Sequence, residues 1–169
     1  IHKFIFVKKI LQLPRLNFPD YSFKLQRSSD ERQSLKIFDI IRKKYVSLTP
    51  EEWVRQHLLH FLVNERKFPQ SLVSVEKKLL INSLEKRTDV VIYSSSLKPI
   101  LLAECKAPKI ALTQAVFDQA ARYNMTLNVA YFLITNGLES FICKIDHSTQ
   151  SYAFLKDIPS YEELKLSHS

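Results

Sequence analysis

Asp89 and the run Glu104-Cys105-Lys106 place two carboxylates and an ammonium within one short stretch, "KRTDVVIYSSSLKPILLAECKAP". The apolar runs Val90–Tyr93 and Ile100–Cys105 flank the polar, proline-containing Ser94–Pro99, which reads as the loop of a β-hairpin. The centre of that loop falls between Ser96 and Leu97, and Asp89 and Glu104 are equidistant from it. They then face each other across two strands, where opposed Cβ atoms stand about 4.5–5.5 Å apart. Side chains alternate along a strand, so Glu104 and Lys106 share a face and Cys105 points the other way, into the core. Two opposed carboxylates repel unless a cation compensates them, and this pair could hold a divalent metal beside a phosphodiester. A solvated hairpin edge with a salt bridge is the alternative reading of these three residues.

A helix is expected to follow. Leu112–Asn124, "LTQAVFDQAARYN", carries Val116, Ala120 and Tyr123 about one turn apart, with Thr113 as N-cap. Asp118 and Arg122 form an outward pair four residues apart. Gln119 and Tyr123 also lie four apart and share a helical face. They either serve the carboxylates or simply pack on the sheet.

An Asp on one strand and Glu-x-Lys on the next resemble the core motif of the PD-(D/E)xK nuclease superfamily, with Thr88 where the nominal motif has Pro. Gln-x-x-x-Tyr on the following helix resembles the extra motif of the nuclease domain at the N-terminus of type I restriction enzyme R subunits. "RKKYVSLTPEEWVRQHLLHFL", "KRTDVVIY", "LLAECKAP", "FDQAARYN" and "ITNGLESFICKID" also fit that family, in the short form common in bacterial genomes. The resemblance runs from Leu16 to Tyr161.

The resemblance implies hydrolysis of DNA with Mg²⁺, or Mn²⁺ in its place. Asp89, Glu104 and the backbone carbonyl of Cys105 would hold the metal, Lys106 would orient the attacking water and stabilise the developing charge, and Gln119 and Tyr123 would support them. It also implies little base specificity. Nucleases of this superfamily often carry a further acid on the first helix. Glu52 is the candidate there, although its place in a capping box explains it equally well. Glu76, on the first core strand, is a candidate second metal ligand or a support for Lys77. The rival readings are a non-catalytic DNA-binding module, or a module that docks on a separate restriction or helicase subunit.

The chain has 169 residues, enough for one domain with a real core, and a net charge of +8, which favours a polyanionic partner. Its lysines and arginines are spread along the sequence, as suits a backbone-contacting surface better than a basic tail. Two cysteines, Cys105 and Cys143, have no metal-ligand spacing and fit a reducing, bacterial cytoplasmic setting. No apolar run approaches the ~18 residues of a membrane span. The single glycine, Gly137, excludes a Walker A loop and a dinucleotide fingerprint, so an ATP-driven motor is not encoded in this chain.

These side chains need a scaffold. We expect a mixed α/β, restriction-endonuclease-like core in the order αβββαβ, with a central mixed sheet flanked by helices, within a single domain over 16–169. Residues 1–15 read as an N-terminal extension. "YSFKLQ" and "SLKIFDIIRKKYV", separated by the polar turn Arg27–Gln33, should form an N-terminal β-hairpin covering one sheet edge. Thr49-Pro50-Glu51-Glu52 marks a helix start, with Thr49 as N-cap, Pro50 at N1 and Glu52 at N3. Trp53, Val54, His57, Leu58, Phe61 and Leu62 supply its buried stripe, ending near Asn64–Lys67, and Gln56 shares a face with Glu52. Leu72–Leu80, Asp89–Tyr93 and Ile100–Cys105 read as the three strands. After the Leu112–Asn124 helix come strand Val129–Thr135, a turn at Asn136-Gly137, strands Phe141–Ile145 and Tyr152–Leu155, and a short helix over Tyr161–Leu166. His57 and His60 are three apart, but nothing completes a zinc site around them.

Overall fold

The alternating runs and turn signals resolve, in the computed structural model, into a mixed α/β architecture with two sheets; it describes residues 13–28, 34–81, 84–125, 127 and 129–166. Three short strands come first: β1 (Leu25–Arg27), β2 (Leu35–Asp39) and β3 (Lys44–Ser47). Helix α1 spans Pro50–Asn64, followed by a 3₁₀ turn at Gln70–Leu72 and strands β4 (Val73–Ile81), β5 (Leu84–Tyr93) and β6 (Pro99–Cys105). Helix α2 (Gln114–Met125), strands β7 (Tyr131–Thr135), β8 (Ser140–Asp146) and β9 (Ser151–Leu155), and helix α3 (Tyr161–Leu166) complete the order. The αβββαβ succession is therefore present as α1, β4–β6, α2 and β7.

The six later strands form one sheet in the order β4-β5-β6-β7-β8-β9. Only β6 and β7 run parallel, as a strand–helix–strand crossover through α2 requires. Each face carries a core. One cluster joins Val90, Ile92, Leu101, Ala103 and Cys105 to Trp53, Val54, Leu58 and Leu62 of α1. The other joins Val91, Leu102, Phe132 and Ile134 to Phe117 and Ala121 of α2. The sheet is thus buried on both sides along its centre, which explains the unbroken burial of Tyr131–Thr135.

Three expectations need correction. The N-terminal hairpin is a separate three-stranded antiparallel sheet, because "SLKIFDIIRKKYV" turns back on itself. Asp39 makes that turn: its Oδ1 accepts the backbone N–H groups of Ile41 (2.8 Å) and Arg42 (2.6 Å), and Lys43 takes a left-handed φ of 54°. This sheet packs Ile37, Leu25, Leu35 and Val46 into the α1 core rather than extending the large sheet. The buried positions of α2 are Phe117, Ala121 and Asn124, one residue out of phase with Val116 and Ala120, which are only half-buried. Asp118 turns its carboxylate to the Tyr152 hydroxyl (2.7 Å) and Gln114 (2.8 Å), while Arg122 Nε donates to the Asp118 carbonyl. Of the expected extension over 1–15, residues 1–12 lie outside the described residues, but Leu13 is buried in the core and Pro14 accepts from the Trp53 indole N–H. Most of the turn expected at Arg27–Gln33, residues 29–33, also lies outside them.

Gly137 is required where it stands. Its φ is +83°, and a Cβ there would sit 2.8 Å from the Leu16 side chain. Gly137→Ala is therefore expected to destabilise by at least about 1–2 kcal/mol from the backbone alone. A shift in the denaturant midpoint at unchanged m-value checks it.

Candidate functional site

The hairpin of β5 and β6 sets the site. Its turn closes through Ser94 N–H to Lys98 O (2.8 Å) and Leu97 N–H to Ser94 O (2.9 Å), with Leu97 at φ 60°. The ladder pairs Val91 with Leu102 and Val90 with Ala103, so the next step sets Asp89 across from Glu104. Lys106 follows on the same strand exit, its Nζ 3.6 Å from Glu104 Oε2, and its backbone N–H donates to Thr135 O at 2.8 Å. Side-chain exposures of 24% for Asp89, 21% for Glu104 and 37% for Lys106 leave all three reachable by a ligand. Cys105 is buried, and burial pushes its thiol well above the usual range, against any nucleophilic role.

Asp89 is held rigidly. Its Oδ2 accepts the Cys105 backbone N–H at 2.8 Å and its Oδ1 accepts from Arg55 Nη2 at 2.9 Å. Strict alternation sets Asp89 with Val91 and Glu104 with Leu102, on the α2 face of the sheet, yet Arg55 reaches Asp89 from α1.

Arg55 is the hub that sequence reasoning missed. It is buried, and its guanidinium contacts Glu51 (3.3 Å), Glu52, Glu76 (3.7 Å) and Asp89 (2.9 Å). Burial alone would lower its pKa, but Glu52, Asp89 and Glu76 outweigh it and keep the charge. Beside it, Arg42 bridges Asp39 (2.7 Å), Glu52 (2.9 Å) and Glu76 (2.6 Å). Glu76 sits opposite Asp89 on β4, between the pairs Val75–Val90 and Lys77–Thr88, in a left-handed conformation at φ 49°. Such a backbone in a non-glycine residue is strained and persists where its surroundings over-determine it. Burial would raise the Glu76 carboxyl, but Arg42, Arg55 and Arg87 hold it below the usual range.

The helix start is as expected, with Thr49 Oγ1 accepting the Glu52 N–H at 3.0 Å. Glu52 itself is buried and accepts from Arg42, Arg55 and Gln56, so its carboxylate belongs to the arginine network. Gln56 is fully buried and donates to Asp39 and Glu52. The other helix acid, Glu51, pairs with Arg55 at 3.3 Å, the guanidinium that also holds Asp89. Burial and then the Asp89 charge raise its carboxyl, with Arg55 and Lys106 opposing, so it shares the field of Asp89 and Lys106. The signal was available: a glutamate at N3 is the one expected to serve the cap, which leaves its N2 neighbour free. Gln119 is exposed on α2, and Tyr123 lies one turn further along the same helix. His57 packs on Trp53 at 4.2 Å between ring centroids, and His60 packs on Tyr21 and Phe23, as packing residues do.

The donor set is two hard carboxylates on facing strands, each with a cationic side chain beside it. No group of three or more Asp, Glu, His or Cys converges on one point among the described residues. Such a site fits Mg²⁺, which commonly binds through one or two carboxylates and completes its shell with water and phosphate oxygens. It does not fit zinc, which needs three or four protein donors. An open groove of about 470 Å³, lined by Lys36, Lys44, Tyr45, Arg42, Glu51 and Arg55 among others, adjoins the site.

Residues 50–159 match a family described as the N terminus of the type I restriction enzyme R protein. Among solved structures, the chain is similar to a fragment of a putative HsdR subunit of a type I restriction enzyme from Vibrio vulnificus YJ016, at 20% identity and a TM-score of 0.49. That match covers 72% of this chain and 26% of the solved one, so the chain spans about a quarter of that relative's length. No curated protein matches. No helix among the described residues is long and apolar enough to cross a membrane.

Proposed function

The chain belongs to the family of type I restriction enzyme R protein N termini, and on that footing we propose that it is a Mg²⁺-dependent endonuclease domain that hydrolyses DNA phosphodiester bonds. The observation that carries the reading is the register that pairs Val90 with Ala103, which one step further sets Asp89 across from Glu104, with Lys106 beside Glu104. The Cys105 N–H fixes one Asp89 oxygen and thereby orients its remaining lone pairs. Asp89 and Glu104, with the carbonyl of Cys105, would hold the metal. When bound, the metal polarises the scissile phosphate and lowers the pKa of a bound water. Lys106 places a point charge where the negative charge of the transition state develops. Glu51 pairs with Arg55, the same guanidinium that holds Asp89, and so adds negative charge beside the site without joining the pair of metal ligands. Gln119 and Tyr123 position the phosphate from α2, a supporting role. Mn²⁺ substitutes for Mg²⁺, DNA is the substrate, and a separate restriction or helicase subunit is the partner that supplies translocation.

Titration calorimetry with Mg²⁺ and a plasmid-nicking assay test this together. The parent chain should bind the metal and nick in its presence but not in excess chelator. Glu104→Gln, which keeps the shape and removes the charge, should weaken metal binding and abolish nicking. Equal metal affinity in parent and variant would sink the assignment of the metal to this pair.

A further inference from the structure

The N-terminal sheet has an outer face with no role in the core. Lys36 lies opposite Ser47 and Phe38 opposite Tyr45, so these four share one face, while Ile37 and Val46 face inward. Lys24 stands over the Phe38 ring with its Nζ 5.5 Å from the centroid, and Phe38 meets Tyr45 edge-on at 5.3 Å. Tyr45 is 39% exposed. Lys36, Lys44 and Tyr45 line the same open groove as Glu51 and Arg55. Within that groove the two arginines are bound to Glu51, Glu52 and Glu76, whereas Lys36 and Lys44 have no ion-pair partner among the described residues. The uncompensated positive charge therefore lies along the side of the groove formed by the sheet, with Glu51, Glu52 and Glu76 among its other lining residues. This sheet also lies before residue 50, outside the stretch that matches the family.

We propose that the outer face of β1–β3, through Lys24 and Lys36, together with Lys44 at the start of β3 where it lines the groove, is a track for a phosphodiester backbone and leads it along the groove to Glu51, Asp89 and Lys106. The proposal rests on the nuclease reading and adds where the strand lies. Backbone contact suits lysines, which act as point charges towards phosphate and read no sequence. Tyr45 at the groove offers a ring edge to a sugar or base without selecting one.

Fluorescence anisotropy in chelator, where no cleavage occurs, separates the two ideas. Labelled duplex DNA and the same strand alone are each titrated with the parent, with Lys36→Gln/Lys44→Gln, and with Lys144→Gln/Lys156→Gln, on β8 and just past β9, as control. For the duplex, the Lys36/Lys44 pair should weaken binding about tenfold and flatten the slope of log affinity against log salt by about 1.8. If the strand alone is the true ligand, the loss appears there with a slope change of about 1.4. The melting temperature should hold, since Lys44 is exposed, Lys36 is only half-buried, and neither has an ion-pair partner among the described residues. Unchanged affinity and slope overturn the track while leaving the nuclease reading standing, and so does an equal loss in the control pair. A parent that binds neither DNA removes both.

Discussion

Lys106→Ala is expected to slow DNA cleavage by about two to three orders of magnitude, the cost of removing one preorganised electrostatic stabiliser, and to leave DNA affinity nearly intact. The side chain is more than a third exposed and its contact with Glu104 is long, at 3.6 Å. A half-exposed pair of that kind contributes about 0–1 kcal/mol to folding, so the variant should remain folded. One ammonium is also a small part of a surface with net charge +8. Rate and affinity should therefore separate, which a role in binding alone would not produce. Nicking by purified variant at the parental rate would place the hydrolytic centre elsewhere.

Arg55→Met should cost about 3–5 kcal/mol of folding stability, the usual result of leaving buried charges without their partner. Glu52 and Glu76 would keep Arg42, but Asp89 and Glu51 would each lose the guanidinium they pair with. The deficit should depend on pH with a defined sign. The folded Glu76 carboxyl lies below its ordinary value, so the arginines contribute stability above the unfolded pKa and lose it as pH falls through the folded one. The gap between parent and variant is therefore widest at neutral pH and narrows in acid. Urea unfolding at neutral and acidic pH measures both. A constant gap would mean that the loss comes from packing of the aliphatic stem rather than from charge.

The sequence was legible where structure is local. The loop Ser94–Pro99 is short and polar between two apolar runs, so its midpoint gave the register that pairs Val90 with Ala103. Thr49 and Pro50 announced α1, and the order of helices and strands followed from runs of apolar residues. What stayed hidden is long-range charge pairing. Arg42 meets Glu76, and Arg55 meets Asp89, each across 34 positions. A buried arginine contradicts the burial expected of its type until its partners are known. The same blindness hid that Glu52 is bound by Arg42, Arg55 and Gln56, and that Glu51 shares Arg55 with Asp89. The phase of α2 was misjudged because Phe117 outcompetes the smaller Val116 for the sheet and carries Ala121, one turn on, inward with it, a matter of side-chain volume that spacing does not report.

Asp39 and Arg42 sit on the turn between β2 and β3, yet they hold Gln56, Glu52 and Glu76. Cutting the gene at residue 50, where the family match begins, would excise one wall of a closed ionic cage. The remaining segment would carry every candidate ligand and still lose the scaffold that keeps Arg55 aimed at Asp89. The smallest autonomous unit thus starts upstream of its most recognisable stretch. In this chain, heredity and independent folding draw different borders.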